Sequence, residues 1–364
     1  MDEATPARVT DDALTDLIER VRRTRRVANP WSGDASRGIR ARELDGLVDY
    51  WGDGYDWRAQ EARIRSLPWV VTGEGRSPLR SIHQPSANSS AATVVLLHGW
   101  PDSVLRFERV LPLLADCNVV VPALPGFPFS PPVGEAMSAQ QIADVVADAV
   151  DELGYQRYVV SGGDVGGTLG ELLAARYPDR VTALHLANVA AGHVATADPS
   201  RLPADAVEYL ESVGQWRRAN AGFIAEQSTR PSTLIASLGD SPAGLLAWIG
   251  EKLLDWPDTV CGEPAFSRDE LLTWVTAYWF TGTIGTSFST YVEPSRLPDR
   301  VETPTVISGF PRDIIAAPRS YAEQFVNLRQ FIEHESGGHF AAWERPDAYA
   351  ADVRRAVDLA DPRP

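Results

Sequence analysis

Asp164 stands in the middle of Val160-Ser161-Gly162-Gly163-Asp164-Val165-Gly166-Gly167, in the order small residue, any residue, nucleophile, any residue, small residue. A strand that enters such a turn and leaves it as a helix holds its central side chain out in a strained elbow, where it can attack. Gly162 and Gly166 meet the steric condition, because strand and helix must approach more closely than a Cβ allows. Taken alone, Gly-Gly-Asp reads equally well as an ordinary turn with a solvated aspartate. The choice depends on whether a base and an orienting acid follow at suitable places.

His339, in Ser336-Gly337-Gly338-His339-Phe340, comes after the last strand pattern and completes the chain order nucleophile, acid, histidine. A lone histidine is ordinarily a core or surface residue with a satisfied ring, but this order argues for a base. Asp313, in Phe310-Pro311-Arg312-Asp313-Ile314, follows the penultimate strand and can orient the imidazole. Its plain alternative is a loop carboxylate paired with Arg312, and Glu333 and Glu335 are substitutes for the orienting role. Residues 184–197, after the strand that precedes a helical insertion, contain no carboxylate.

An aspartate nucleophile narrows the reaction. A serine alkoxide suits an acyl group, whereas its attack on saturated carbon would leave an ether that water does not readily cleave; a carboxylate leaves an ester. Water activated by His339 can then attack the carboxyl carbon of Asp164, so that the oxyanion forms on the protein's own side chain. Its donors would be the backbone N–H groups of Val165 and of Trp100, the latter in His98-Gly99-Trp100-Pro101. A cis Trp100-Pro101 bond would suit the bend there.

A sheet must hold these groups together. Residues 93–97 and 119–121 are continuous β-branched and leucine runs, as in strands buried on both faces, and 158–160 leads into the Asp164 turn. Residues 67–83 read as an antiparallel hairpin around 73–77. Ser138 and Gln141 form a capping box ahead of a helix that carries Ile142, Val145, Val146, Val150 and Leu153 and that Gly154 ends. Further strands are expected at 181–187, 304–307 and 328–332, and helices from near Pro318 and Glu344. The alternation predicts an α/β fold with a mostly parallel central sheet flanked by helices, and with ligands at the carboxyl ends of the strands.

The alternation stops over residues 192–296, where helical patterns run over 204–218, from Ser241-Pro242, and from Ser267 with Glu270. This is an all-helical lid. Residues 11–26 show an amphipathic helix with Leu14, Leu17, Ile18 and Val21 on one narrow face. Trp31 and the aromatics of residues 47–58 follow, and the segment is expected to pack as a meander over the larger domain. The expected divisions are 1–66 for the meander, 67–191 and 297–364 for the two parts of the core, and 192–296 for the lid.

The 364 residues, 44% of them hydrophobic, suffice for a large core. A net charge of -15 argues against general affinity for nucleic acid or an anionic membrane. From Met1-Asp2-Glu3 onward no apolar run is long enough for a signal peptide or anchor, so a cytoplasmic, soluble protein with a small-molecule substrate is expected. Cys117 and Cys261 lie far apart with no ligand-spaced neighbours, so no disulfide scaffold, metal or cofactor is expected. A homo-oligomer is left open.

At this point a resemblance emerges. Leu47-Val48-Asp49-Tyr50-Trp51 with Tyr55-Asp56-Trp57-Arg58, then His98-Gly99-Trp100-Pro101, Gly162-Gly163-Asp164, Thr281-Gly282-Thr283-Ile284 leading to Tyr291, Phe310-Pro311, and Gly337-Gly338-His339-Phe340-Ala341-Ala342 together resemble the microsomal-type and juvenile-hormone epoxide hydrolases. The resemblance spans nearly the whole chain and implies the α/β-hydrolase fold with an N-terminal meander, without the membrane anchor. It implies Asp164 as nucleophile, His339 as base and Asp313 as relay acid, at a position where some members carry glutamate. It also implies that Tyr291 is one of the lid tyrosines that donate hydrogen bonds to the epoxide oxygen.

The chain departs from the family where ring opening is assisted. Asn220-Ala221-Gly222-Phe223-Ile224 aligns with the stretch that supplies the other lid tyrosine, and Phe223 has no hydroxyl. Loss of one preorganised donor commonly lowers a rate by roughly a hundred- to a thousand-fold. Tyr209, Tyr278 or another lid donor is a candidate substitute, and Trp216, Phe223 and Tyr278 are candidate pocket residues, with lid packing as the plainer role for aromatics at helical spacing. Val165 replaces the usual tryptophan after the nucleophile, which weighs against haloalkane hydrolysis, and Pro128 replaces a usual glycine. The expected activity is hydrolysis of an apolar or polycyclic epoxide to a vicinal diol. The alternative that Phe223 leaves open is action on another electrophile, or a rearrangement or binding role in specialised metabolism.

Overall fold

A computed structural model of the protein describes residues 4–73, 77–259, 262–293 and 295–360. Met1, Asp2 and Glu3, the centre of the 73–77 turn, and Cys261 lie outside the described residues; Cys117 is a free, buried thiol. Eight strands, β1 (Trp69–Thr72), β2 (Leu79–Gln84), β3 (Thr93–Leu97), β4 (Asn118–Pro122), β5 (Tyr158–Gly162), β6 (Val181–Leu186), β7 (Val301–Gly309) and β8 (Val326–Glu333), form one sheet. Their order is β1-β2-β4-β3-β5-β6-β7-β8. β2 runs antiparallel to β1 and β4, and the remaining pairs are parallel. The sheet is that of an α/β-hydrolase, and it is central and mostly parallel as the strand–helix alternation predicts.

β3 is buried along its whole length, which accounts for its unbroken Thr-Val-Val-Leu-Leu run. It lies beside β5 in a register that sets Leu97 against Gly162, so the loop carrying Trp100 leaves the sheet next to the Asp164 turn. Val159, Ala183 and Val306 pack with Ala356 on one face of the sheet. Val160 and Leu184 face the other way, where Gly170 lets a helix lie close upon them. The alternation of Cβ atoms along a strand thus separates two cores.

The helices follow in chain order. The N-terminal segment contains α1 (Asp11–Arg22), α2 (Ala41–Asp53) and α3 (Trp57–Arg65). α1 stops at Arg22, four residues before the expected end at Arg26, because its apolar face runs out after Val21. The segment docks on the helical insertion: Tyr50 donates to Asp269 Oδ1 at 2.8 Å, and the rings of Trp57 and Phe280 lie 5.1 Å apart. Trp31 does not share in this packing and is 62% exposed. α4 (Ala139–Glu152) starts from the Ser138–Gln141 capping box, and α5 (Val165–Arg176) follows the Asp164 turn.

Between β6 and β7 every named element is helical: α6 (Ala204–Asn220), α7 (Gly222–Thr229), α8 (Pro231–Leu238), α9 (Pro242–Asp255), α10 (Arg268–Thr281) and the short α11 (Ser289–Val292), with 3-10 turns among them. α9 and α10 begin at Ser241 and Ser267, where the sequence places their caps. α7 and α8 are not legible as separate helices, since eight residues are too few to display a 3.6-residue period. β7 begins three residues before Pro304 and takes that proline in through a shift of register against β8. α12 (Arg319–Phe325) precedes β8, and the last helical region divides into α13 (Ala341–Glu344) and α14 (Pro346–Ala360), since Arg345 precedes a proline.

Candidate active site

Asp164 ends the β5 turn at φ 55° and ψ -128°, a conformation that non-glycine residues rarely adopt. The surrounding backbone enforces it. A Cβ on Gly162 would lie 2.4 Å from the Gly166 carbonyl oxygen, and one on Gly166 would lie 2.1 Å from that of Leu97. Gly99 is equally confined, for a Cβ there would meet Asp164 Oδ1 at 2.6 Å. The loop after β3 therefore presses its backbone onto the carboxylate. Trp100 N–H donates to Asp164 Oδ1 at 2.8 Å, and the Val165 amide donates to the same group. The Trp100-Pro101 peptide is cis.

His339 and Asp313 arrive from the carboxyl ends of β8 and β7. His339 Nδ1 lies 2.8 Å from Asp313 Oδ1 and donates to it, because an ionised carboxylate can only accept. That leaves the lone pair on Nε2, which has no hydrogen-bond partner and lies 3.8 Å from Asp164 Oδ2. Asp313 also accepts from the Ile314 amide at 2.7 Å and from Asn188 Nδ2 at 3.0 Å. Neither Glu333 nor Glu335 takes this place.

The charges of the three groups follow from this arrangement. Burial pushes the Asp164 pKa up, and His339 with the Trp100 and Val165 amides offsets this only in part, so it stays above the ordinary value. Burial acts on Asp313 in the same sense but is outweighed by the His339 charge and the donors around it, and its pKa is lowered. For His339, burial would lower the pKa, yet the charge and hydrogen bond of Asp313, aided by Asp164, raise it.

Sequence reasoning missed two further parts. Asn188 follows β6, in the stretch searched only for carboxylates; its Oδ1 accepts the Asp164 amide at 3.3 Å while its Nδ2 holds Asp313. The second is a buried ion pair within the loop after β3, where Arg106 Nη1 donates to Asp102 Oδ2 at 2.5 Å. Asp102 Oδ1 accepts the Gly99 amide at 2.7 Å, and Arg106 Nη2 donates to the His339 carbonyl at 2.7 Å. The pair thus joins the Trp100 loop to the backbone of His339. Its signal was the i, i+4 spacing of opposite charges in an otherwise apolar stretch.

A cavity of about 390 Å³ opens over Asp164 and is lined by Val165, Asn188, Trp216, Phe223, Tyr291, Asp313 and His339, among others. The Phe223 ring is stacked on that of Trp100, with centroids 5.5 Å apart and planes 8° apart. Tyr291 meets both edge-on, at 5.9 Å from Trp100 and 6.3 Å from Phe223. Burial and the charge of Asp164 hold the Tyr291 pKa well above the ordinary value, so this phenol is a neutral donor.

Tyr278 corrects an expectation. It does not line this cavity, because its hydroxyl is drawn to the Asp102 carbonyl at 3.0 Å, beneath the lid. Tyr209 does line it, and its pKa is raised by burial and then by the charge of Asp313. Among the described residues, no group of three His, Cys, Asp or Glu side chains could hold a metal ion, and no helix is long and apolar enough to cross a membrane.

Comparison with known proteins places the chain in a family. The family described as "Epoxide hydrolase N terminus" matches residues 3–107, and that described as "alpha/beta hydrolase fold" matches residues 92–346. A provisionally named epoxide hydrolase of Stigmatella aurantiaca is 34% identical over 369 residues, covering 95% of this chain and 82% of the relative. The solved epoxide hydrolase of Aspergillus niger superposes with a TM-score of 0.87 at 30% identity, over 99% of this chain and 98% of that one. The juvenile hormone epoxide hydrolase of the silkworm Bombyx mori gives a TM-score of 0.84 at 26% identity, over 98% and 94%. The chain therefore belongs to the epoxide hydrolase family of the alpha/beta hydrolase fold.

Proposed function

We propose that this hydrolase opens an apolar epoxide through a covalent ester of Asp164, which water then cleaves to give a vicinal diol. The observation that carries the proposal is the division of labour on one carboxylate. Oδ1 is held by the Trp100 amide at 2.8 Å, while Oδ2 faces the unpartnered Nε2 of His339 across 3.8 Å.

In the first step Asp164 Oδ2 attacks a ring carbon, the carbon–oxygen bond opposite breaks, and the ring oxygen takes the proton of Tyr291. The product is a hydroxyalkyl ester of Asp164 beside a tyrosinate. Esterification removes the negative charge of Asp164, one of the influences that raise the His339 pKa. Its loss lowers the His339 pKa and so favours the neutral imidazole that the second step uses. Water then gives a proton to His339 Nε2 and adds to the Asp164 carboxyl carbon, and the charge that develops on Oδ1 faces the Trp100 and Val165 amides. Collapse breaks the bond from the carboxyl carbon to the alkyl oxygen, which takes the proton of the added hydroxyl group to give the diol and the Asp164 carboxylate, and the proton held on His339 restores Tyr291. The apolar character of the substrate is inferred from the cavity walls, which include Trp216, Phe223, Trp256, Ile314 and Ile315.

Isotope placement tests the reaction. A single turnover of styrene oxide in water enriched in oxygen-18 is expected to leave the label in the Asp164 carboxylate and not in the diol. His339→Gln is expected to accumulate alkylated Asp164, visible by mass spectrometry of the peptide. Label in the diol on the first turnover, with no adduct in the variant, would overturn the proposal in favour of direct attack by water.

A further inference from the structure

α7 carries Phe223 and, one turn later on the same face, Gln227. Gln227 is fully buried, and the direction of its amide is determined. Trp248 Nε1–H can only donate, and it lies 3.1 Å from Gln227 Oε1. The Nε2 group must therefore point away from Trp248, and there it makes no hydrogen bond. A wholly buried amide nitrogen without an acceptor is uncommon and calls for a reason.

Tyr291 stands beside this helix, its ring 6.3 Å from that of Phe223, which lies one turn before Gln227. Burial and Asp164 push the Tyr291 pKa up, and Gln227 acts in the opposite sense, as a donor beside a phenol oxygen does. Chemistry supplies the reason for keeping such a donor. When Tyr291 gives its proton to the ring oxygen, negative charge grows on its phenol oxygen, whose own ring meets those of Trp100 and Phe223 edge-on. The Phe223 ring has no polar hydrogen to offer that oxygen. Where the family's second tyrosine would share the charge on the ring oxygen itself, this chain has only Phe223.

We propose that Gln227 is the positioning residue that compensates for the missing lid hydroxyl: its Nε2–H closes on the Tyr291 oxygen during ring opening, occupies one lone pair, and leaves the phenol proton directed at the epoxide. Gln227 does not line the cavity over Asp164, so it acts through Tyr291 and not on the substrate. The proposal rests on the aspartyl-ester reading above.

The test separates the two half-reactions on the full-length enzyme. In a His339→Gln background, alkylation of Asp164 by styrene oxide is followed by rapid quench and peptide mass. Gln227→Met, of similar length but without donors, is expected to slow alkylation by about tenfold or more. In the His339-containing enzyme, hydrolysis of the preformed ester by the same variant should change less than about twofold. Gln227→Glu keeps the acceptor for Trp248 but replaces the N–H donor. It is expected to alkylate slowly at neutral pH and to recover as the pH falls and the buried carboxyl regains a proton to donate. Unchanged alkylation in both variants overturns the proposal, and so does an equal fall in both half-reactions, which would mark a purely structural role. If the His339→Gln parent itself forms no adduct, the aspartyl-ester reading fails, and this inference with it; an adduct formed at full speed by both variants defeats this inference alone.

Discussion

Asn188 donates through Nδ2 to Asp313 Oδ2 at 3.0 Å, and through Oδ1 the same side chain accepts the Asp164 amide at 3.3 Å. One uncharged residue thus ties the nucleophile turn to the carboxylate that orients the base. Replacing it by alanine leaves Asp313 with the Ile314 amide and His339 alone, and frees the Asp313–His339 unit to shift relative to Asp164. Asn188→Ala is expected to lower kcat by roughly 10- to 100-fold with a smaller change in KM, because displacement of about 1 Å is enough for such a loss. Steady-state kinetics on a turned-over epoxide check this, and a KM effect without a kcat effect would point to substrate contact instead.

His339 acts as a base only when neutral, and its pKa in the resting enzyme lies above the ordinary 6.5. Ester hydrolysis, the step it drives, should fall as the pH drops through the His339 pKa of the esterified enzyme, where the upward influence of Asp313 remains and that of Asp164 is gone. Asp313→Asn removes the main influence that raises it and leaves burial, which lowers it. The acid limb should then move to lower pH while kcat falls by about 10⁴-fold, as the imidazole loses its orienting charge. A pH–rate profile of both proteins decides the sign.

Arg106 and Asp102 are both buried, and the pair holds the Asp102 pKa down at about 2 even though burial acts to raise it. The stabilisation that Asp102 contributes is full above its unfolded value near 3.8 and is lost as the pH falls toward 2. Arg106→Leu leaves a buried charge without its partner and is expected to destabilise the protein by about 3–5 kcal/mol at neutral pH. That deficit relative to the parent should shrink as the pH is lowered, since burial is then opposed only by His98 and the Gly99 amide and Asp102 is neutralised at a higher pH. Urea unfolding at several pH values measures both effects.

Phe223 presents an apolar ring to the cavity beside Tyr291. Phe223→Tyr places a second phenol there and is expected to speed alkylation of Asp164 by about tenfold or more, with ester hydrolysis unchanged. Rapid-quench measurement of both steps checks it. A hydrolysis effect without an alkylation effect would show that the new hydroxyl faces the base and not the ring oxygen.

Chain order carries much of the fold and site. β-Branched runs mark the buried strands, Ser138 and Ser267 with their glutamine and glutamate partners mark helix starts, and the Gly-Gly-Asp turn marks the point where a side chain is forced out of the sheet. Those features are local, because steric demands and capping act within a few residues. The partnership of Asp164 with Asp313 and His339 could also be anticipated, since strand ends in a parallel sheet meet at one edge.

What tertiary structure alone decided lies in contacts between segments distant in sequence. Asn188 was invisible as a brace, because nothing near residue 188 reveals that Asp164 and Asp313 flank it. The Arg106 contact with the His339 carbonyl spans more than two hundred residues. Tyr278 and Tyr291 are similar phenols on the same lid, yet packing turns one to the Asp102 carbonyl and the other to the cavity. The direction in which a buried side chain points depends on which neighbours desolvate it and which polar atoms remain to receive it, and that is a property of the assembled core.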